Sequence, residues 1–347
     1  MKRLCAGVVL VLAWPVLAAG DILRVPEDYT TIQEAINIAS PSQRDTISVA
    51  AGTYRERIFI RKTLVLQGRD GAENTTLDGE YSGNVITVNG VPRACIIEDF
   101  TVTGGDATHP DSVGAGIYLH QYASPTIQRC RLVGNRARAG GGLNAFVYSE
   151  PLVRDCWFAD NEGGAAIVET NNPNGTTFAE FERCVFTRNQ GVAVSTIRGG
   201  RSWLRNCTIT HNNSDGVGAR EFARVRVNNC IITFNEGGGI VRDDPTVCFT
   251  LLCNDVYANP SGNYLGTNPN DPCFPGRGSG DVSVDPCYQD AASNNFHLVD
   301  DSPLCDLKQP DACGVLGAYD DPCSGIINLC TTAVVEKTWG EVKTLFR

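Results

Sequence analysis

The sequence predicts an all-β fold, a parallel β-helix in which every coil of the chain supplies three short strands. Six cysteines recur at separations of 26, 28, 23, 23 and 23 residues, namely Cys130, Cys156, Cys184, Cys207, Cys230 and Cys253. Five of them are followed by an apolar residue two positions later and by an asparagine five positions later. A glycine and a short strand-like run precede each cysteine. A 23-residue unit is too short for a helix and cannot bury its own inner face, so the coils are expected to stack strand on strand.

The recurring cysteines are interpreted as one stripe of the buried interior. A thiol is small and apolar, and free cysteine is among the most buried residue types. Disulfides between stacked parallel side chains rarely meet the required torsion near 90°. Zinc ligation is the alternative, but the column lacks the paired short spacings of zinc sites. Cys95 fits the same frame one enlarged coil earlier, and Cys248 fits no position of the repeat.

The polar pairs that precede the cysteines predict tight corners. Arg154-Asp155 and Asn228-Asn229 are examples. Aspartate and asparagine tolerate the left-handed backbone conformation that such corners need.

The two ends of the solenoid are expected to be covered, because an open coil edge would pair with other chains. At the N-terminal end, Thr31 and Glu34 have capping-box spacing, and apolar residues follow at helical spacing. The sequence therefore predicts a cap helix over residues 31–39. Strands at 45–50, 57–60 and 63–67 are expected to begin the coils.

Beyond residue 262 the repeat is lost, and residues 263–322 are expected to form an irregular cysteine-rich coil that caps the other end. This region, with the start of the tail, holds the plausible disulfide cysteines, which are Cys273, Cys287, Cys305, Cys313, Cys323 and Cys330. Proximity in sequence favours Cys305–Cys313 and Cys323–Cys330, although sequence alone cannot determine pairing. In the tail, residues 323–347, a second capping box at Thr338–Glu341 is equally compatible with a short docking helix and with a frayed end.

The first twenty residues have the pattern of a secretory signal peptide. Lys2 and Arg3 precede an apolar run that is too short for a comfortable membrane span, and small residues follow it. We therefore expect an extracytoplasmic protein, most simply a monomer, without a membrane span after cleavage. The chain of 347 residues has 29 basic and 39 acidic side chains, a net charge of −10, which disfavours binding to nucleic acid.

Several segments resemble the right-handed parallel β-helix proteins of the pectin-lyase-like superfamily. The opening Ile32-Gln33-Glu34-Ala35-Ile36, with Asp45-Thr46-Ile47-Ser48-Val49, is similar to the first helix and coil of such proteins, pectin methylesterases included. The unit Asn206-Cys207-Thr208-Ile209 resembles bacterial right-handed β-helix repeats, and Asn295-Phe296-His297-Leu298 resembles their closing segment. The resemblance covers roughly residues 21–320 and implies a right-handed β-helix over 21–262. It says little about chemistry, because one fold hosts many functions.

The catalytic motifs of that superfamily do not carry over. The only Gln-Asp pair, Gln289-Asp290, lies outside the repeats, and the Asp-Phe-Ile-Phe-Gly type strand of pectin methylesterases is missing. Asp243-Asp244 lacks the partner motifs of polygalacturonases. No lysine occurs between Lys62 and Lys308, which excludes a lysine base within the repeats. An arginine base would need an unusually tuned guanidinium.

The resemblance implies that ligands lie along the strand face that follows the glycines. Counting by alternation from each glycine predicts outward positions that include Ala166, Val168, Ala193 and Ser195. The residues chosen as a candidate substrate groove are Tyr118, His120, Asn144, Phe146, Arg220 and Asp243. Aromatic and amide groups beside a flat sheet suit sugar rings. A surface ion pair of Arg220 with Asp243 and an ordinary aromatic pair of Tyr118 with Phe146 are the simpler alternatives.

Two loops are expected to flank this face, at residues 105–113 and 170–177. The first contains Asp106, His109 and Asp111, which could bind a metal such as calcium, but a solvated loop fits three loosely spaced residues better. We therefore expect no cofactor.

Two functions fit the sequence. One is binding or processing of a polysaccharide, by a lyase or glycoside hydrolase if the protein is an enzyme. The other is a non-catalytic structural or adhesion solenoid attached to a cell-envelope component. Copper handling, which similar periplasmic β-helix proteins suggest, is disfavoured by the lack of methionine beyond Met1 and by only four histidines.

Overall fold

Every coil of the chain crosses three parallel sheets in turn, here called sheets A, B and C. The computed structural model describes residues 20–108, 114–171, 177–266, 268, 270–274, 276–299, 302–306, 313 and 316–319. Almost all of the predicted signal peptide and the whole of the tail 323–347 lie outside these residues. The stacking confirms an all-β right-handed parallel β-helix with an N-terminal capping helix.

The strands of each sheet are hydrogen-bonded in the order of the chain. Sheet A has ten strands: Ile22–Val25, Thr46–Val49, Val65–Gly68, Ile96–Glu98, Thr126–Gln128, Leu152–Arg154, Phe178–Glu182, Arg201–Arg205, Arg224–Asn228 and Cys248–Leu252. Sheet B has nine: Gly52–Tyr54, Thr75–Asp78, Thr101–Thr103, Arg131–Val133, Trp157–Ala159, Val185–Thr187, Thr208–Thr210, Ile231–Thr233 and Asp255–Tyr257. Sheet C also has nine: Ile58–Ile60, Ile86–Asn89, Ile117–His120, Leu143–Phe146, Ala166–Glu169, Val194–Ile197, Val217–Ala219, Gly238–Arg242 and Gly262–Leu265.

The remaining elements are short. Asp106–Ala107 and Arg136–Ala137 form a parallel pair, and Tyr288–Asp290 and Asn295–Leu298 form an antiparallel pair. Helices run over Ile32–Ile38 and Pro303–Asp306, and a 3₁₀ turn covers Ala291–Ser293.

The cysteine column lies in the interior, as predicted. Free, buried thiols occupy the turn between sheets A and B at Cys130, Cys156, Cys184, Cys207 and Cys230. The residue before several of them has a left-handed backbone, with φ of 54° at Asp155 and 56° at Asn229, which confirms the predicted corners. Cys95 is also free and buried, but it precedes its sheet A strand, and Phe100 occupies the position of Cys130 in that coil, so the prediction that Cys95 fits the same frame is wrong.

The asparagines of the repeat form a buried ladder between sheets B and C. Its members are Asn135, Asn161, Asn189, Asn212, Asn235 and Asn259. In Asn189, for example, Nδ2 donates to Oδ1 of Asn212 at 2.9 Å, and this same oxygen also accepts the backbone N–H of Asn189 at 3.0 Å. The repeated side chain therefore satisfies backbone groups that the corner leaves without strand partners.

The N-terminal helix closes the first coil as expected. Thr31 is the N-cap, and its hydroxyl accepts the Glu34 N–H at 3.1 Å. The Glu34 carboxylate accepts the backbone N–H of Thr30 at 3.1 Å, one residue earlier than an ideal capping box requires. Ile32, Ala35 and Ile36 are buried against the first strands.

The segment after the last coil does not only cap the end; part of it runs back over the outer face of sheet B. We call residues 288–298 the C-terminal cover. Phe296 stacks on Trp157 at 5.8 Å and on His211 at 6.1 Å between ring centroids. The Tyr288 hydroxyl is hydrogen-bonded to that of Thr233 at 2.9 Å. The cover therefore contacts several of the coils that precede the end of the solenoid.

The disulfides differ from the predicted pairing. Cys313 is bonded to Cys253, so the proposed Cys305–Cys313 pair is wrong, and Cys253 is not a free member of the buried column. Cys248, which matched no repeat position, is bonded to Cys273. Both bonds join the final coils to the segment folded against them, a proximity in space that sequence separation does not show. The proposed Cys323–Cys330 pair lies outside the described residues.

Asp255 is a buried carboxyl that predicts a pH-dependent stability. It is fully buried, one oxygen accepts the Val284 N–H at 3.0 Å, and the other has no partner among the described residues. Burial raises its pKa to about 7, with the nearby Asp285 adding to the shift. Because the folded pKa exceeds the unfolded value near 3.9, the folded protein binds more protons between about pH 4 and 7, and stability falls as pH rises through that window.

We expect Asp255→Asn to raise the free energy of unfolding at pH 8 by about 2 kcal/mol, part of the gain being offset by a weaker hydrogen bond from Val284. Urea denaturation at pH 4.5 and pH 8 measures the effect. The exposed Glu236→Gln, which also removes one negative charge, should change neither value by more than about 0.5 kcal/mol. A variant no more stable than the wild type at pH 8 would show that Asp255 does not cause the pH dependence.

Candidate functional site

The outer face of sheet C carries three aromatic rings in contact. Tyr118 and His120 lie two residues apart on one strand and stack at 4.9 Å between centroids, with an interplanar angle of 7°. Phe146, on the next strand, stacks on Tyr118 at 6.5 Å and 27°. All three side chains are half-buried. The predicted aromatic residues therefore form one partly exposed surface, here called the aromatic cluster.

Burial changes the ionisation of this cluster. Desolvation, with a smaller contribution from Arg61, lowers the pKa of His120, so its imidazole is neutral at pH 7. Desolvation also raises the pKa of Tyr118. Near neutral pH the cluster thus presents uncharged rings with hydrogen-bonding tips, a combination that suits sugars.

Asn144 lies in register between Tyr118 and Ile167 but is fully buried, unlike a groove residue open to solvent. Its Nδ2 donates to Glu169 Oε1 at 3.2 Å, while its Oδ1 has no partner among the described residues. Gly114 covers it, because a Cβ at that glycine would lie 2.8 Å from Asn144 Cβ. Asn144 therefore supports Glu169 from below the surface.

Glu169 is a site residue that the sequence prediction missed. Its carboxylate is nearly buried and accepts a hydrogen bond from Arg198 at 2.9 Å. Alternation from Gly164 pointed to Ala166 and Val168 as outward residues; this was wrong, and Val168 is fully buried.

The reason is that the glycine position of the earlier coils is occupied by an alanine in these two coils. Leu143 pairs with Ala166 and Ala166 with Val194, so Ala165 and Ala193 correspond to Gly142. Counting from Gly164 therefore slips the register by one residue, which turns every side chain to the other face. Counting from Gly191 slips it by two residues, so Ser195 stays outward as predicted and Ala193 takes the glycine position. Ala193 is accordingly buried, and the outward positions are Ile167 and Glu169, then Ser195 and Ile197. The sequence signal that could have revealed this register was the alanine at the position that glycine occupies in the earlier coils.

Arg220 and Asp243 lie just past the ends of their strands and are exposed. They are not an ion pair: the Arg220 guanidinium contacts Glu221 at 3.4 Å instead. Partial desolvation and the nearby Asp215 raise the pKa of Asp243, although Arg220 opposes the shift. These two residues stand several coils from the aromatic cluster, so the six predicted groove residues do not converge on one point.

A second stacked pair borders the same face. Tyr122 and Tyr148, at the corner between sheets C and A, stack at 5.0 Å with an interplanar angle of 8°. Each follows a residue that also has positive φ, and Phe222 occupies the same kind of corner three coils later. Tyr122 is 65% exposed. The sequence signal was an aromatic residue two positions after the end of each strand.

The flanking loops are described only in part. Asp106 accepts the Thr108 N–H at 2.9 Å and the Thr108 hydroxyl at 2.7 Å, and these hydrogen bonds lower its pKa. His109 and Asp111 lie outside the described residues, as do residues 172–176 of the second loop. Over the described part of the chain, no cluster of three or more histidine, cysteine, aspartate or glutamate residues could hold a metal ion. No described helix is long and apolar enough to cross a membrane.

Comparison with known proteins identifies the fold family. A family model described as a right-handed beta helix region matches residues 59–195 and 173–264. Over 79 residues the chain is 37% identical to the probable pectinesterase/pectinesterase inhibitor 17 of Arabidopsis thaliana, and this segment spans 22% of the chain but only 16% of that protein.

Three solved structures show a limited similarity to this chain. The pectin methylesterase of Aspergillus niger in deglycosylated form is 18% identical with a TM-score of 0.46, over 77% of this chain and 91% of that one. The pectin methylesterase of carrot is 14% identical with a TM-score of 0.47, over 77% and 89%. The catalytic domain of a GH87 α-1,3-glucanase is 10% identical with a TM-score of 0.32, over 76% and 68%.

Proposed function

Because the chain belongs to the right-handed β-helix family and has the pectin-lyase-like fold, we propose that it binds a polysaccharide along the outer face of sheet C. The observation that supports this most is the aromatic cluster of Tyr118, His120 and Phe146 on a flat sheet surface. The Tyr122–Tyr148 pair, in which Tyr122 is exposed and Tyr148 half-buried, extends that surface toward the next corner. Apolar ring faces pack on sugar rings, and the neighbouring hydroxyl and imidazole groups hydrogen-bond sugar hydroxyls.

The similarity to a pectinesterase points to plant cell-wall glycans as the first substrates to examine. Chemical processing of the bound chain is part of the proposal, although the superfamily motifs named above are missing. Two carboxylates on this face differ in their surroundings. Glu169 is held by Arg198 and Asn144 and is assigned a positioning role. Asp243 is exposed and has a raised pKa. Release of reducing or unsaturated sugar ends, assayed with and without calcium, distinguishes processing from binding alone.

The location and organisation of the protein follow the same proposal. Disulfides at Cys248–Cys273 and Cys253–Cys313 fit an oxidising, extracytoplasmic compartment. We propose that residues 21–262 act as one monomeric binding unit and that residues 263–322 stabilise its end. The last strand of sheet C, Gly262–Leu265, ends close to that boundary.

We expect Tyr118→Ala/Phe146→Ala to weaken retention in affinity electrophoresis at least tenfold, because two ring contacts with the glycan are lost. The panel should contain homogalacturonan, its methyl ester, arabinan and a mixed-linkage glucan. Tyr81→Ala is the matched control, since Tyr81 is 52% exposed and belongs to the turn between sheets B and C rather than to a strand of sheet C. Unchanged circular dichroism shows that the variants are folded.

Two outcomes oppose the proposal. Equal retention of the double variant and the wild type would place binding elsewhere. Failure of the wild type to bind any member of the panel would favour the alternative of a structural solenoid attached to the cell envelope.

A further inference from the structure

A second concave surface lies on the outer face of sheet A, away from the aromatic cluster. It is a cavity of about 360 Å³ lined by Phe178, Arg201, Trp203, Arg224, Arg226 and Thr250, among others. Cys248, which also lines it, is fixed by its bond to Cys273. We call it the arginine pocket.

The three guanidinium groups of this pocket lack carboxylate partners. Arg201 and Arg224 are directly paired in register on neighbouring strands, and Arg226 follows Arg224 on the same outward row. Within the described part of the chain, no carboxylate lies within 4.0 Å of any of the three. Like charges on adjacent strands repel one another, so this arrangement is unfavourable without an anion.

Other arginines of the same face are neutralised. Arg205, on the strand that carries Arg201, contacts Glu182 at 3.2 Å, and Arg129 contacts Asp99 at 2.8 Å. Glu180, which neighbours Trp203 in register, is engaged by Arg93 at 3.6 Å. In a chain with a net charge of −10, this cluster of three arginines without carboxylate partners is therefore a local exception to the overall negative charge.

Aromatic contacts orient one of these cations. The Arg226 guanidinium lies 4.6 Å from the centroid of the Trp203 ring, and Phe178 meets that ring edge-on at 4.9 Å. A guanidinium stacked on an aromatic ring keeps the N–H groups in its own plane free. Two of these N–H groups can bind a planar oxyanion by two parallel hydrogen bonds. Glu150 at the rim would disfavour an anion that extends toward it.

From this geometry we propose that the arginine pocket binds the carboxylate of an acidic sugar in a polysaccharide chain. A carboxylate matches the planar fork of arginine, and a cavity of about 360 Å³ is at the size of small-ligand sites. Because the attraction between the arginines and a carboxylate is electrostatic, binding weakens with salt. The inference does not require the groove on sheet C, and variants of the two surfaces separate them.

Isothermal titration calorimetry with trigalacturonate, at 20 and 300 mM NaCl, tests the pocket. We expect Arg201→Gln/Arg224→Gln to raise Kd at least tenfold. The charge-matched Arg44→Gln/Arg138→Gln, at two exposed arginines outside the pocket, should keep Kd within twofold. The fully methyl-esterified trisaccharide, which lacks the carboxylates, should bind at least tenfold more weakly than trigalacturonate.

Four results would overturn the inference. They are absence of trigalacturonate binding to the wild type, equal weakening in both arginine double variants, equal binding of the methyl ester, and tighter binding of a sulfated trisaccharide. Loss of binding in Tyr118→Ala/Phe146→Ala with full binding in Arg201→Gln/Arg224→Gln would also overturn it while supporting the groove on sheet C. Loss only in the arginine variant supports the pocket and leaves the groove to its own experiment.

Discussion

Replacing Asn212 by alanine is expected to lower the free energy of unfolding by about 4 kcal/mol. Its Nδ2 donates to Phe186 O at 3.0 Å and to Asn235 Oδ1 at 2.8 Å. Its Oδ1 accepts the backbone N–H of Asn189 at 3.0 Å. Alanine would leave that donor buried without a partner, which costs about 1–3 kcal/mol, and would remove the two hydrogen bonds that Nδ2 donates, at about 1 kcal/mol each. Solvent cannot replace them, because the side chain is fully buried.

The adjacent residue supplies the control. Asn213 is exposed, and its Oδ1 accepts the Gly191 N–H at 2.8 Å at the surface. Asn213→Ala should cost less than about 1 kcal/mol, since water can take over the hydrogen bond. Urea denaturation followed by circular dichroism gives both values. If the two variants lost the same stability, the buried ladder would not be a main support of the coils.

Phe158→Ala is expected to cost about 4 kcal/mol. Phe158 is fully buried, stacks on Phe186 at 4.8 Å and meets Phe181 edge-on at 6.4 Å. Truncation removes the apolar area of the ring and leaves a cavity that rigid stacked coils cannot close. Phe158→Leu should cost only about 1.5 kcal/mol, because most of the volume is kept.

The matched surface variant is Phe222→Ala. Phe222 is 62% exposed, so its removal should change the free energy of unfolding by less than about 0.5 kcal/mol. Thermal and urea unfolding of the three variants rank them. A loss for Phe158→Ala as small as that for Phe222→Ala would mean that the interior relaxes around the missing ring.

The repeat made most of the fold predictable. Period, alternation and turn chemistry are local properties, and they located the cap helix, the buried repeat cysteines and the strands Thr46–Val49, Ile58–Ile60 and Val65–Gly68. The strands Ile22–Val25 and Gly52–Tyr54 were not predicted. The disulfides of Cys253 and Cys248 depend instead on where a distant segment folds back, which no local pattern encodes.

The candidate site was predictable only where the frame was regular. Tyr118, His120 and Phe146 follow glycines that keep the register, and they form a cluster. Glu169 was missed because Ala165 occupies the glycine position in its coil. The arginine pocket joins residues from four strands of sheet A, so it is visible only once their side chains are placed in register.

The C-terminal cover changes how the solenoid is expected to fold and unfold. In a simple stack each coil contacts only its neighbours, and coils can melt one by one from an end. Phe296 touches both Trp157 and His211, which belong to coils two turns apart. Opening any coil beneath the cover must detach it from the others, so this stretch should unfold as one cooperative block. Because the cover is synthesised after every coil that it contacts, these coils should gain their full protection against proteolysis only once the cover has been made.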